Sequence, residues 1–178
     1  EEPWGHIDYN RSQKVSFGGE VVEENGKKVW KPAWSVRAVP VDYMVPGYAS
    51  GRVNTLRLWS AKSYDEFDLL TFNKSEYLDA VKPQVKAENI SKILYPEDST
   101  PQGKALRLEQ QYFFVAASLH DAIRVFYPGQ SKPDLTTFPS KITFQLNDTH
   151  PVIGIPELMR ILIDEYGYDW DTAWSITT

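Results

Sequence analysis

The 22 residues from Lys141 to Leu162 constrain the fold most strongly, because their pattern changes midway. Residues 141–146 are rich in β-forming side chains and predict a strand, whereas residues 156–162 repeat apolar side chains at helical spacing. A strand, a loop and a helix in succession suit an open α/β sheet, in which ligands bind outside the carboxyl ends of the strands. We therefore expect the polar residues 147–150, which lie between the two, to face a ligand crevice.

Asp148 and His150 are the candidate functional residues of this loop. A carboxylate accepts hydrogen bonds and an imidazole can donate or accept them, so the pair suits acid/base chemistry or recognition of hydroxyl groups. The alternative is purely structural. In that interpretation Asp148 or Thr149 caps the following helix, and His150 packs beside Pro151.

Residues 13–60 alternate apolar and polar side chains and predict β structure. Asn25-Gly26 is a strong signal for a type I′ hairpin turn, and Pro46-Gly47 predicts a second turn. The connections are too short for crossover helices, so we expect the strands to be antiparallel.

Helical patterns dominate the remainder of the chain. Residues 75–86 predict a helix that is short or kinked, because Pro83 lacks an N–H donor. A long helix is predicted from Pro101, capped by Ser99 or Thr100, to Pro128-Gly129. Its apolar face is expected to comprise Leu106, Tyr112, Phe113, Ala116, Leu119, Ile123 and Phe126. A last helix should follow Asp169 as its N-cap.

Composition narrows the possible partners. The 178 residues include no cysteine, which excludes disulfides and cysteine-ligated zinc and favours a reducing compartment such as the cytoplasm. With a net charge of −5 and scattered basic residues, no nucleic-acid partner is expected. No apolar run reaches the roughly 18 residues of a membrane span. Three histidines make a multi-histidine metal site unexpected.

Two further features each have a functional and a structural interpretation. In the segment from Tyr95 to Arg107, Glu97 and Asp98 precede a helix that contains Lys104 and Arg107. These charges could form a site, or they could be ordinary capping near a helix terminus. The six tryptophans and ten tyrosines could stack on sugar rings, or they could fill the core.

Four long sequence motifs follow one another along the chain. They are RVNTLRLWSAK, AENISKILYPEDSTPQGKALRLEQQYFFVAASL, ITFQLNDTHPVIGIPELMRILIDE and YDWDTAWSIT. Together they resemble the α-glucan phosphorylases (glycogen, starch and maltodextrin phosphorylases), in a bacterial-type pattern, from about Val15 to Thr178.

The resemblance implies a fold and an activity. The chain would be a segment of the N-terminal domain of a two-domain GT-B glycosyltransferase fold, with an antiparallel, β-rich first third. The parent enzyme would cleave terminal α-1,4 glucosidic bonds with inorganic phosphate and release glucose 1-phosphate with retention. Pyridoxal phosphate would be its cofactor, bound to a lysine outside this chain, so this segment alone is expected to be inactive.

The resemblance also implies roles for individual residues. Asp148 and His150 would line the glucosyl side of the crevice. Residues 95–107, the gate segment, would control access to it through Tyr95, Glu97, Asp98 and Arg107.

Other roles implied by the resemblance lie further from the crevice. Asn73 to Lys86 would pack on the symmetry mate in a homodimer, although Pro83 departs from the family pattern. Arg124 is followed by Val125, where animal enzymes carry an arginine pair that binds AMP, so AMP activation is not expected.

The expected organisation is one incomplete domain. Residues 1–71 form its β-rich part, residues 72–94 the dimer-type helix, and residues 95–178 an α/β part with one wall of the active site. The alternative function is that of a non-catalytic carbohydrate-binding module that uses the tryptophans.

Overall fold

An antiparallel sheet of four strands occupies the first third of the described chain. The computed structural model describes residues 3–64, 69–129 and 133–178. Its six strands are β1 Gly5–Ile7, β2 Gln13–Phe17, β3 Glu20–Glu24, β4 Lys27–Lys31, β5 Trp34–Pro46 and β6 Val53–Ser63. β5 pairs with β1, β2 and β6, and all of these pairings are antiparallel, as expected from the short connections.

Strands β3 and β4 form a separate two-stranded hairpin. Asn25 and Gly26 join them with φ angles of 53° and 74°, in the left-handed region that a type I′ turn requires. The predicted hairpin turn is therefore confirmed.

The helices follow the sheet in the sequence. They are α1 Leu69–Asn73, α2 Tyr77–Lys92, α3 Pro101–Phe126, α4 Gly154–Arg160 and α5 Trp170–Thr177. Short 3₁₀ helices comprise Tyr9–Arg11, Leu135–Ser140 and His150–Ile153, and a π-helical turn, Ile161–Glu165, continues α4. In the described part of the chain no helix is both long enough and apolar enough to cross a bilayer.

Helix α3 begins and ends where the sequence predicts. Thr100 caps it, because its Oγ1 accepts a hydrogen bond of 3.1 Å from the N–H of Gly103, and Pro101 occupies the first turn. Asp169 likewise caps α5 by accepting from the N–H of Thr172. Both cap predictions are confirmed, although Phe126 of the predicted apolar face is exposed.

Two apolar cores meet on α3. On one side, Phe113, Ala116 and Ala117 pack with the sheet and with Ala87 and Ile90 of α2. On the other side, its residues pack with α4, the π-helical turn and α5, in a cluster of Val115, Leu119, Ile123, Leu158, Met159, Ile161, Leu162, Ala173 and Ile176. α3 therefore fixes the segment that contains His150 relative to the sheet.

The predicted strand at residues 141–146 is wrong for this chain. These residues have no strand partner among the described residues, and the second half forms no open α/β sheet there. A strand requires a neighbour to accept its backbone hydrogen bonds, and side-chain propensity does not provide one. The described fold is thus mixed helix and antiparallel sheet.

Helix α2 is longer than predicted. It continues through Pro83, which lies inside the helix, and ends at Lys92 rather than near residue 86. Its buried residues Ala80, Ala87 and Ile90 pack towards the sheet and α3, and this packing outweighs the local cost of the proline.

Candidate functional site

The gate segment and His150 lie together at the N-terminal end of α3. The guanidinium of Arg107 pairs with the carboxylate of Asp98, and its Nη2 lies 3.5 Å from Nε2 of His150. The ring of Tyr95 covers the same group, since Cζ of Arg107 is 5.7 Å from the ring centroid of Tyr95. The rings of Tyr95 and His150 are 5.8 Å apart. We call these four residues the gate cluster.

Arg107 organises the gate cluster because it can only donate hydrogen bonds. Asp98 therefore accepts, and Nε2 of His150 faces Arg107 as an acceptor. The side chains of Arg107 and Asp98 are 27% and 46% exposed, so water screens the ion pair and its energy is modest. The arrangement can be broken by a competing anion at low energetic cost.

The backbone at Glu97 and Asp98 passes very close to Gly103 in the first turn of α3. A Cβ placed on Gly103 would lie 2.0 Å from the carbonyl oxygen of Glu97 and 3.0 Å from Cα of Asp98. Only a residue without a side chain permits this approach. Sequence reasoning missed Gly103, although a glycine in the first turn of a capped helix costs stability and so indicates a backbone requirement.

Two residues of the site adopt left-handed backbone conformations that are uncommon outside glycine. Tyr95 has a φ of 53° and Asp148 a φ of 65°. Such conformations are held only where the surrounding structure imposes them, and they concentrate at functional sites. Tyr95 belongs to the gate cluster, and Asp148 lies two residues before its member His150.

Asp148 itself stands apart from the gate cluster. Its Oδ1 accepts a hydrogen bond of 2.6 Å from the N–H of Thr149, and this bond lowers the pKa of Asp148. The 3₁₀ helix after it has no side-chain cap, so the interpretation of Asp148 or Thr149 as a helix cap is not supported. The exposed carboxylate remains able to accept hydrogen bonds from a ligand.

Glu97 also serves the local backbone. Its Oε1 accepts from the N–H of Ser99 at 2.8 Å, and this hydrogen bond lowers the pKa of Glu97. Of the acidic residues in the gate segment, Asp98 contacts Arg107, whereas Glu97 shapes the loop.

Comparisons with known proteins agree with one another. The family model described as "Carbohydrate phosphorylase" matches residues 1–178. The chain is 48% identical to glycogen phosphorylase 2 of Dictyostelium discoideum, over 99% of this chain and 18% of that protein. It is 46% identical to glycogen phosphorylase of Pasteurella multocida and 48% identical to the brain form of Rattus norvegicus, over 98% of this chain and 21% and 22% of those proteins.

The chain belongs to the carbohydrate phosphorylase family. It spans about a fifth of the length of the curated relatives it matches. Identity to the bacterial relative and to the rat relative is nearly equal.

Arg124 lies far from the gate cluster. Seventeen residues of α3 separate it from Arg107, or about 25 Å at 1.5 Å per residue. Its Nη2 donates to Asp121 at 2.5 Å, and Asp121 also pairs with Arg57. Arg57 in turn binds the buried Asp42 at 2.6 Å through Nε. Arg124 is thus already neutralised by a carboxylate.

The described part of the chain contains no cluster of metal ligands, and the gate cluster contains no lysine. No group of three or more His, Asp or Glu side chains lies close enough to hold a metal ion within that part. The gate cluster contains an arginine, an aspartate, a tyrosine and a histidine, and therefore no lysine amine that could form a Schiff base.

The aromatic residues that the structure buries act mainly in packing. Trp34 stacks on Phe17 with ring centroids 4.7 Å apart, and the amine of Lys86 lies 3.6 Å from its centroid. Trp59 is buried, and its Nε1 donates to Ser118 at 3.1 Å. For Trp59 the interpretation as a core residue is confirmed, whereas Trp34 is partly exposed and packs against the core.

Proposed function

We propose that the chain is a segment of an α-1,4-glucan phosphorylase. The parent protein would cleave terminal α-1,4 glucosidic bonds with inorganic phosphate and release glucose 1-phosphate with retention of configuration. Membership of the phosphorylase family supports this proposal, and the single structural observation that supports it most is the gate cluster, where Arg107 joins Asp98 to His150. The chain would supply one wall of the sugar site and a gate.

His150 and Asp148 would recognise the sugar. His150 lies at the N-terminal end of α3 and the carboxylate of Asp148 is exposed, and a sugar ring offers hydroxyls that both donate and accept. Arg107 holds the imidazole of His150 with Nε2 as an acceptor, which leaves the other ring nitrogen to donate. Neither residue would exchange protons with the bond that breaks.

Asp98 would act as an electrostatic gate. A carboxylate about 4 Å from a phosphate charge would oppose it by about 4 kcal/mol per charge at an effective dielectric constant of 20. Phosphate would therefore bind well only after Asp98 has moved away. The ion pair with Arg107 holds Asp98 in one defined position. The pair is weak because both side chains are partly exposed to water.

Pyridoxal phosphate would be bound by residues outside this chain. Its phosphate group supplies an acid/base partner for the substrate phosphate when it is bound. The residues described here would orient the sugar and admit phosphate, and no proton transfer is assigned to them.

The finer fold of the parent is also a proposal. Residues 142–146 line an apolar cavity of about 600 Å³ together with Phe114, Leu158 and Ile176. We propose that the parent protein has a two-domain GT-B fold, in which other parts of the polypeptide would cover this cavity.

A homodimer of the parent, in the cytoplasm, is proposed through residues 73–86. Leu78, on the first turn of α2, is 79% exposed, and Leu70 of α1 is 76% exposed. We propose that the second copy of the chain covers these apolar side chains.

Phosphate-dependent release of glucose 1-phosphate from maltodextrin by the full-length protein tests the proposed function. We expect release that requires both phosphate and a glucan, and that falls when Arg107 is replaced by leucine. Lys104→Leu, which changes an exposed cation on the same helix, is the control. Glucan binding without phosphorolysis would instead favour the binding module.

A further inference from the structure

Helix α3 and the segment from His150 to Glu165 lie against each other along their length. Arg107 approaches His150 at one end. Near the middle, the backbone of Gly154 packs closely on α3, where a Cβ would lie 3.3 Å from Val115. At the far end, Nε2 of His120 lies 3.1 Å from Oε2 of Glu165 in the π-helical turn. His120 and Glu165 thus join the same two segments as the gate cluster does, about 20 Å further along α3.

The surroundings of His120 require a proton on each ring nitrogen. Nδ1 lies 2.8 Å from the carbonyl oxygen of Ala116, and Nε2 lies 3.1–3.2 Å from both carboxylate oxygens of Glu165. A carbonyl and a carboxylate can only accept hydrogen bonds. A neutral ring would turn a lone pair towards one of them, so the geometry selects the imidazolium.

The charges around His120 balance only when it is protonated. Glu157 and Arg160 face it from α4, and Glu165 faces it from the π-helical turn. Arg160 binds both carboxylates, at 2.8 Å each, and Tyr112 of α3 approaches Glu157 as a neutral hydroxyl. Two carboxylates and two cations are present with His120 charged, whereas the neutral ring leaves one negative charge in excess.

The titration of His120 agrees with this geometry. Burial of the ring acts to lower the pKa of His120, but the hydrogen bond and charge of Glu165 outweigh it and raise the pKa above its ordinary value. A raised pKa in the folded state means that the pair stabilises the packing at pH values below about 6.5. This stabilisation is lost as the pH rises through the folded value.

We propose that His120, as an imidazolium bound to Glu165, is a positioning residue that fixes α4 and the π-helical turn on α3 and so holds His150 at Arg107. The sugar wall would be best ordered at slightly acidic pH and would loosen as the pH rises. Only the link to glucan binding rests on the proposed function, because the contact between the two helical segments is a property of this chain.

Hydrogen exchange in the full-length protein tests the contact without any activity. Protection factors of the peptide that covers residues 154–166 are measured from pH 5.5 to 8.5 and corrected for intrinsic exchange. We expect Glu165→Gln to lower protection about two- to fivefold at pH 6, the range for a partly exposed ion pair, and to lower it less at pH 8.5, where only the ion pair with Arg160 remains to be lost. His120→Gln retains a side-chain donor without titrating, so its protection should not vary with pH. His6→Gln, which changes an exposed histidine of β1, should behave as the wild type.

The pH dependence of KM for maltodextrin tests the positioning role. In the wild type KM should rise with pH more steeply than in His120→Gln, whereas the pH dependence of kcat should be the same in both proteins. Equal protection in the wild type and Glu165→Gln at pH 6 would show that the contact does not stabilise the packing. Equal pH profiles of KM in the wild type and His120→Gln would refute the positioning role. If the protection data agree but phosphorolysis is absent from all proteins, the proposed function fails and the His120–Glu165 contact stands.

Discussion

Gly103→Ala should disable the gate while leaving α3 formed. The new Cβ would lie 2.0 Å from the carbonyl oxygen of Glu97, whereas ordinary contacts require roughly 3.4 Å. The atom in the way belongs to the backbone, so the loop must move by about 1.4 Å rather than rotate a side chain. Asp98 follows Glu97 directly and would be displaced from Arg107.

The stability change should be small because two effects oppose each other. Alanine in place of glycine favours a helix by about 0.5–1 kcal/mol, and the displaced loop loses a partly exposed ion pair worth up to about 1 kcal/mol. Misplacement of a site by about 1 Å can cost roughly 100-fold in rate. We therefore expect a large loss of kcat/KM with a Tm close to that of the wild type.

The assay is glucose 1-phosphate release by the full-length protein, with Tm measured on the same preparations. Gln102→Ala is the matched control, because Gln102 is exposed, adjacent and equally part of the first helical turn. Wild-type kinetics in Gly103→Ala would refute the reasoning, since the loop would then tolerate displacement without consequence.

Other perturbations test different parts of the structure. His150→Ala should lower kcat/KM for maltodextrin about 5- to 150-fold through the unpaired sugar hydroxyl, and Asp148→Asn should act likewise, with Tm little changed in both. Arg57→Met should destabilise the protein by about 3–5 kcal/mol, measured as a lowered Tm, because Asp42 and Asp121 are 5% and 7% exposed and would lose their shared cation. The hydrogen bond from Arg57 lowers the pKa of Asp42, so the Tm difference between the wild type and Asp42→Asn should persist above about pH 5, shrink below about pH 3.9 and vanish as the pH falls through the lowered folded value. AMP should change phosphorolysis less than about tenfold, or 1.4 kcal/mol, because Arg124 is already bound to Asp121; a larger activation would contradict this.

The sequence by itself determined the features that depend on neighbouring residues. The hairpin turn at Asn25-Gly26 requires only two residues that accept left-handed backbone. The start of α3 requires only Thr100, Pro101 and the N–H of Gly103. Its apolar face follows from a local repeat of 3.6 residues. The family motifs are equally local, and they indicated the family without any knowledge of the fold.

Tertiary structure decided whatever depends on a distant partner. Residues 141–146 have the composition of a strand, but a strand exists only where another backbone accepts its hydrogen bonds, and no described residue does so. Pro83 predicted a helix that is short or kinked, yet packing against the sheet extends α2 to Lys92. Arg107 and His150 are 43 residues apart in sequence, and His120 and Glu165 are 45 apart, so no periodicity could pair them. They meet because α3 packs against the segment that follows residue 149, and the burial of apolar side chains between the two segments sets that register.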